Sequence, residues 1–329
     1  MKARILKILK DNMHKYISGE QISSSLGISR TSVWKHISAL REEGYVIESS
    51  SKKGYKLIAL SGSIVPEEIR MRLSSQFFGK NILYYDTVAS TNTIAKKEAA
   101  EGCEEGTIVI AEGQTSGRGR LGRKWVSPPR SGIWMSIILR PDILPEQAPF
   151  MTMLASLATV HAIENVAGVH AGIKWPNDIV LESKKVCGIL TEMSAEIGHV
   201  NYIVVGIGIN VNINKSDFSE EIKGMATSLS SVTGRDIDRN ELIVKLLENF
   251  EQAYMKMRDK DARKMMINEY KGYCVTLGRR VKVNLKEEVI EGTAVDVADD
   301  GQLVVRTDDG IKHRILSGEV SVRGLYGYV

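Results

Sequence analysis

The chain has 329 residues, of which 43% are hydrophobic and 26% charged, with only seven prolines. That length exceeds one ordinary domain and predicts two or three folding units, and the composition excludes a disordered or fibrous chain. The net charge of +4 hides an asymmetry: residues 1–60 hold eleven Lys/Arg against five Asp/Glu, whereas the other 269 hold 33 against 35. The basic character belongs to the N-terminal piece, which needs an anionic partner. No apolar run approaches the roughly 18 residues that span a bilayer. The opening MKARILKILKDNMHK has no apolar signal core, which points to a cytoplasmic chain without membrane contact. Cys103, Cys187 and Cys274 are odd in number, far apart and without CxxC spacing, which argues against paired disulfides and against zinc.

Ile5, Ile8, Leu9 and Met13 recur at helical spacing, and Ser18 and Gln21 form a capping-box pattern that opens a second helix ending near Leu26. Gly27 and Ile28 make a tight turn, Ser29 is an N-cap, and Val33, Ile37 and Leu40 line one face of a third helix ended by Gly44. This is a helix-turn-helix. The runs YVIES and GYKLI, joined by the Lys-bearing SSSKK, read as a β-hairpin and hence a basic wing. SGSIVPEEI marks a boundary, giving a first domain over 1–64. Strand patterns at NILYYD, TIVIAEG, GIWMSIIL, AGIKW, VCGILTEM and NYIVVGIGINVNI follow, with helices at about 92–101, 147–166 and 240–258. Neighbouring strands with short links favour a mixed sheet in an α+β domain over 65–272. From Val275 short β-rich runs with Gly and Asp-Gly turns suit a small barrel over 273–329.

The segment GQTSGRGRLGRKW, residues 113–125, packs three glycines and three arginines, Arg118, Arg120 and Arg123, into seven residues. Glycines let backbone N–H groups approach an anion while guanidinium groups neutralise it, as a nucleotide phosphate requires. It is neither a Walker A loop nor a GxGxxG turn. A surface loop gripping nucleic acid is the alternative, against which Trp125 offers a ring to stack on a base. In KWPNDIVLESKKVCGIL, lysines and Asp178 converging on one sheet edge suit phosphates and Mg²⁺. WPND is equally ordinary turn chemistry, with Lys184 and Lys185 at a solvated hairpin tip. The two glycines of YIVVGIGINVNI mark either close approach by a ligand or a bulge.

In this order and spacing after STN at 90–92, the motifs GRGRLGRKW, KWPNDI, KVCGIL and GIGINVN closely resemble those of the biotin–protein ligases. With the winged helix in front, the whole chain resembles their bifunctional form, biotin–acetyl-CoA-carboxylase ligase and biotin operon repressor. The resemblance implies that ATP and Mg²⁺ convert biotin to biotinyl-5′-AMP, whose biotin then passes to a lysine of a biotin carboxyl carrier protein. It implies that Ser90, Thr91, Asn92, Gln114, Arg118, Gly119, Arg120 and Lys185 bind biotin, with Gly206 and Ile207 walling its valeryl chain. It assigns nucleotide contacts to Arg120, Arg123, Trp125, Asn177 and Asn210, and catalysis to Lys185, Arg120 and Asp178, the last also a candidate Mg²⁺ ligand or acceptor-lysine partner. Arg30, Thr31, Ser32, Lys35 and His36 lie off the apolar stripe of the third helix and, with Lys52 and Lys53 of the wing, are candidate DNA contacts. Operator DNA, biotinyl-AMP as corepressor and an adenylate-bound homodimer follow by resemblance, as does an SH3-like C-terminal barrel with either a packing or a catalytic role. The rivals are a lipoate–protein ligase of the same chemistry and a noncatalytic ligand-sensing repressor.

Overall fold

The computed structural model describes residues 1–13, 15–59, 62–285, 289–316 and 321–324. The chain divides into two compact units, Met1–Arg72 with Asp238–Asn240, and Leu73–Ile237 with Glu241–Val329.

The first unit holds α1 (Lys2–Asp11), α2 (Gly19–Leu26), α3 (Arg30–Glu42), the hairpin β1 (Val46–Ser50) and β2 (Gly54–Ala59), and α4 (Pro66–Arg72). Ser18 and Gln21 close the expected capping box, and Gly27 ends α2 at φ 64°, a left-handed conformation that glycine adopts without strain. Ile5, Leu9, Ile22, Val33, Ile37, Leu40 and Leu57 are fully buried together, so the helices and wing share one core. Ile17 exchanges backbone hydrogen bonds with Tyr55 at 2.9 and 2.8 Å, tying the wing to the α1–α2 connection. α4 is not visible as a periodic pattern because seven residues give it barely two turns. Its buried Glu68 accepts from Tyr45 Oη at 2.6 Å and pairs with Lys10 and Arg72.

The second unit is built on a seven-stranded mixed sheet in the order β3–β4–β5–β9–β8–β7–β6. Its strands are β3 (Ile82–Val88), β4 (Ile108–Gln114), β5 (Gly132–Leu139), β6 (Gly172–Lys174), β7 (Asp178–Leu181), β8 (Lys184–Glu196) and β9 (His199–Asn210). Between them run α5 (Thr91–Ala100) and α6 (Pro149–Ala167), and after them α7 (Leu229–Thr233), α8 (Arg239–Lys256) and α9 (Lys260–Tyr273). Thr191 bonds Thr152 of α6, while the next residue, Glu192, bonds Asn92 and Lys96 of α5. Successive strand residues face opposite ways, so α5 and α6 cover opposite faces. The segment Pro145–Ala167 is long and apolar enough to cross a membrane by length and composition, contrary to the expectation from sequence, yet 72% of its apolar window is buried as a core helix.

The C-terminal residues form a five-stranded antiparallel sheet in the order β13–β12–β11–β10–β14. These are β10 (Arg280–Asn284), β11 (Val289–Val297), β12 (Leu303–Arg306), β13 (Lys312–Ile315) and β14 (Ser321–Gly324). The sheet is fastened beside β6: Val275 N–H donates to Ile173 at 2.9 Å, and Trp175 donates from its backbone to Thr276 Oγ1 and from Nε1 to the Gly301 carbonyl, each at 3.0 Å.

Buried Glu251 of α8 receives the backbone N–H groups of Gln76, Phe77 and Phe78 and the Ser75 hydroxyl. Burial pushes its carboxyl up, but these donors outweigh burial and hold it below the usual carboxylate range. Its stabilisation is therefore fully present above the unfolded value of about 4.3 and is lost as pH falls through the lower folded value. Glu251→Gln should cost about 2 kcal/mol at neutral pH in a denaturant titration, the difference from wild type shrinking in acid; an unchanged midpoint at pH 7 contradicts this.

Candidate functional site

The face of the sheet that carries α5 opens into a cleft of about 1230 Å³. Its floor is the antiparallel β8–β9 pair, where Gly188 lies opposite Gly208 and Leu190 opposite Gly206. A Cβ at Gly208 would stand 2.6 Å from Trp125 Nε1, and one at Gly188 3.0 Å from the same indole. Two facing glycines thus form a bare platform on which the Trp125 ring lies. Trp134 packs edge-on to that ring at 6.4 Å, and Lys185 Nζ stands 5.1 Å from its centroid. Trp125 Nε1 is buried without a hydrogen-bond partner among the described residues.

The Gly/Arg segment folds back on itself. Gln114 pairs with Ser127, Trp125 N–H donates to Gly117 at 2.9 Å, and Gly119 N–H donates to Arg123 at 2.7 Å. Gly117 is required because a Cβ there would meet the Trp125 carbonyl at 2.5 Å. At the tip Leu121 adopts φ 56°, unusual for a residue with a side chain. Arg118, Arg120, Arg123 and Lys124 all line the cleft. Arg120 Nη1 reaches Asn177 Oδ1 at 3.2 Å, and burial pushes its guanidinium down while Asp178 opposes that shift.

Across the cleft Lys174, Asn177 and Asp178 come from the KWPND segment. Lys184 and Lys185 do not occupy a hairpin tip. The turn is Glu182–Ser183, both at positive φ (48° and 62°), which is the backbone of a two-residue hairpin loop and leaves the two lysines in the β8 ladder. WPND is the turn that its chemistry suggests: residues 175–177 join β6 to β7, and Asp178 opens β7 opposite Lys174. Lys185 Nζ and Asp178 Oδ1 are 2.5 Å apart, and Lys185 N–H donates to Met225 at 2.7 Å. Asn177 Nδ2 donates to the Ile189 carbonyl at 2.7 Å, fixing the segment to β8. Cys187 beside them is fully buried and its thiol is pushed far up, which excludes a thiolate nucleophile. Among the described residues no group of three or more His, Cys, Asp or Glu could hold a metal.

At the start of α5, Thr91 donates from its backbone to Gln114 Oε1 at 2.9 Å, and Gln114 Nε2 donates to Ser127 at 2.8 Å. Ser90, the N-cap, lines the cleft with no capping hydrogen bond from its side chain. Asn92 lines it too, but its amide is fully engaged: Nδ2 donates to Leu190 and Glu192, and Oδ1 accepts from Ser136 at 2.6 Å. A Cβ at Gly206 would lie 2.1 Å from Asn92 Oδ1. The close approach that this glycine permits is made by Asn92 of the chain itself. Asn210 lines the far end and donates to the Thr227 carbonyl at 3.0 Å. The cleft thus gathers every candidate residue of the second unit, Ile207 included, and adds Lys174, Lys124 and the wall 217–222. The wall follows β9 as a polar stretch without periodicity, so no sequence signal marks it.

In the first unit Arg30, Thr31 and Lys35 are exposed on α3, Ser32 and His36 are half-buried, and Lys52 and Lys53 are exposed at the wing turn. Arg30 pairs with Glu20 at 2.5 Å on the surface, an exposed contact worth little.

Comparison with known proteins matches the Biotin/lipoate A/B protein ligase family over residues 84–210, an HTH domain over 2–56 and the Biotin protein ligase C terminal domain over 276–323. The bifunctional ligase/repressor BirA of Bacillus subtilis is 40% identical over 97% of both chains, and that of Escherichia coli is 28% identical over 94% of both. The biotin protein ligase of Aquifex aeolicus, solved in complex with biotin and ATP, is similar with a TM-score of 0.65 at 34% identity, covering 74% of this chain and 99% of that one. Fold and cleft define a winged helix joined to an α+β ligase unit. The chain belongs to the family of bifunctional biotin ligases and repressors.

Gly206→Ala forces Asn92 off the sheet and should cost about 1–3 kcal/mol, read as a lower denaturation midpoint. An unchanged midpoint would show that Asn92 yields freely.

Proposed function

We propose that this chain joins biotin to ATP, forming biotinyl-5′-AMP with release of pyrophosphate, and then passes the biotinyl group to a lysine amine of a biotin carboxyl carrier protein, forming an amide and releasing AMP. The observation that carries this is the convergence on one cleft of the Gly/Arg hairpin, the Asp178–Lys185 pair and the Trp125 platform, in a chain matching a bifunctional ligase/repressor over 97% of its length. In the first step a biotin carboxylate oxygen attacks the α-phosphate and pyrophosphate leaves. Two anions must meet, so fixed positive charge at the junction lowers the barrier. Lys185 supplies it, loosening its pair with Asp178 as the anions arrive. Arg120 and Arg123 hold phosphate oxygens. Ser90, Thr91, Gln114 and the backbone near Arg118 and Gly119 face the ureido ring, and the β9 backbone at Gly206 and Ile207, whose side chain turns to the other face of the sheet, walls the valeryl chain. Asn92 serves as the strut that sets this end. Trp125 and Asn210 receive adenine, with Asn177 steadying Arg120.

Mg²⁺ fits as an ion brought with the nucleotide, because it commonly takes one or two carboxylates and completes its shell with phosphate oxygens and water. Asp178 is the carboxylate that would hold it, and the ion supplies charge neutralisation at the phosphates. A lipoate ligase is disfavoured by the winged helix and by full-length similarity to the ligase/repressors. Biotin-dependent release of pyrophosphate from labelled ATP is the expected result; release with lipoate instead, or with neither acid, overturns the assignment.

The first domain binds operator DNA through Arg30, Thr31, Ser32, Lys35, His36, Lys52 and Lys53, with biotinyl-AMP as corepressor acting through a homodimer that sets two half-sites. Domains 1–64, 65–272 and 273–329 carry DNA binding, ligation and support of the KWPND segment. DNA and a carrier protein as partners suit a cytoplasmic chain.

Lys185→Ala should slow biotinyl-AMP synthesis by about 10²–10³, with Asp178→Asn in the same background restoring any stability lost to the unpaired carboxylate but not the rate. Near-normal synthesis contradicts the role of Lys185. Arg120→Gly deletes a phosphate contact and should speed dissociation of biotinyl-AMP more than it slows synthesis, measured by release of labelled adenylate; an unchanged release rate leaves Arg120 a structural role only.

A further inference from the structure

Trp34 is the one Phe, Trp or Tyr side chain in the exposed class among the described residues, 56% accessible in the middle of α3. Among the described residues its side chain makes no hydrogen bond, ring contact or cation–π contact. The buried stripe of the helix is Val33, Ile37 and Leu40, so the indole points away from the core that those residues build. It lies four residues after Arg30 and three after Thr31, hence on their face. A helical side chain leans toward the N-terminus and covers the preceding turn, so the indole lies over the turn that holds Arg30 and Thr31. A second helix of a helix-turn-helix reads bases with that turn. Arg30, which pairs with Glu20, and Lys35 are exposed on the same helix, Lys52 and Lys53 are exposed at the wing, and residues 1–60 hold eleven Lys/Arg against five Asp/Glu. An apolar protein partner finds a poor match in so basic a unit, whereas duplex DNA offers it phosphates. The major groove presents one apolar feature, the C5-methyl of thymine.

We propose that Trp34 is a specificity-determining residue that packs against a thymine methyl in the major groove. This rests on the DNA-binding reading of the first domain. Trp34 supplies sequence discrimination, while Lys35 and the wing lysines supply charge. The experiment first selects a duplex from a random-sequence library with the full-length protein and biotinyl-AMP. Each thymine of that duplex is then replaced by uracil, which removes the methyl alone. Wild type should lose about fourfold in affinity per half-site at one thymine, the worth of one buried methyl group, and Trp34→Ala should be indifferent to that replacement. The salt dependence of binding should be unchanged in Trp34→Ala and reduced by about one unit of slope in Lys35→Ala. An unfolding profile of the first unit's helices like that of wild type, followed by circular dichroism, shows that the variant is folded, since that unit has a core of its own. A selected duplex bound without sensitivity to any methyl, or with equal sensitivity in Trp34→Ala, overturns the proposal alone. So does Trp34→Ala that binds the duplex as wild type but no longer self-associates, which makes the ring a protein contact. Selection of no duplex overturns the DNA-binding reading, and this inference with it.

Discussion

The second unit depends on a stretch of sheet where three glycines, Gly188, Gly206 and Gly208, leave the floor bare beside Leu190. Gly188 and Gly208 face one another across β8 and β9, and Gly206 follows on the same face. Where other strand residues would raise a layer of Cβ atoms, this floor admits an indole at one end and the Asn92 amide at the other, both closer than a methyl group would allow. Trp125 then fixes where the Gly/Arg hairpin lies, because its own N–H closes that hairpin on Gly117. Lys185 stands between the ring and Asp178. Cations, ring and carboxylate are thereby organised by an absence of atoms, and their chemistry follows from being held in one cleft.

The charge of the chain is divided as its work is. The first unit has a core of its own and carries its basic residues outward on α3 and the wing, where counterion release favours DNA. The second unit holds its cations inward, around the cleft. The C-terminal sheet adds a third element of order: Thr276 and Gly301 both hold Trp175, three residues before Asp178. A segment that begins as turn chemistry is made rigid from behind, which preorganised electrostatics requires.

Much of this was legible in the sequence because the relevant signals are local. The capping box at Ser18 and Gln21, the Gly27 turn and the Val33–Ile37–Leu40 stripe lie within 25 residues, and each has a mechanism. The long strands β5 and β9 declare themselves by unbroken apolar runs. Short elements do not: α4 and β7 are too brief for periodicity to rise above noise. The position of Lys185 is not legible, because a two-residue turn at Glu182–Ser183 is indistinguishable by composition from the longer polar tip that Ser-Lys-Lys suggests. The glycines of β9 were legible as sites of close approach, but what approaches them is set by Asn92 and Trp125, more than 80 residues earlier in the chain. Trp34 carries no sequence signal, since periodicity marks buried positions and is silent about an apolar residue placed outward.

The bare floor is tested most directly by the affinity of Gly208→Ala for α,β-methylene-ATP, which cannot release pyrophosphate, titrated calorimetrically on biotin-saturated protein. One added methyl lifts Trp125 from its seat and touches nothing at the Asn92 end. Biotin affinity should stay within about twofold while nucleotide affinity falls by about tenfold or more, the scale of an overpacked contact. Equal loss of both would mean that the sheet itself is disturbed, and undiminished nucleotide affinity would contradict the claim that the glycine platform organises the site.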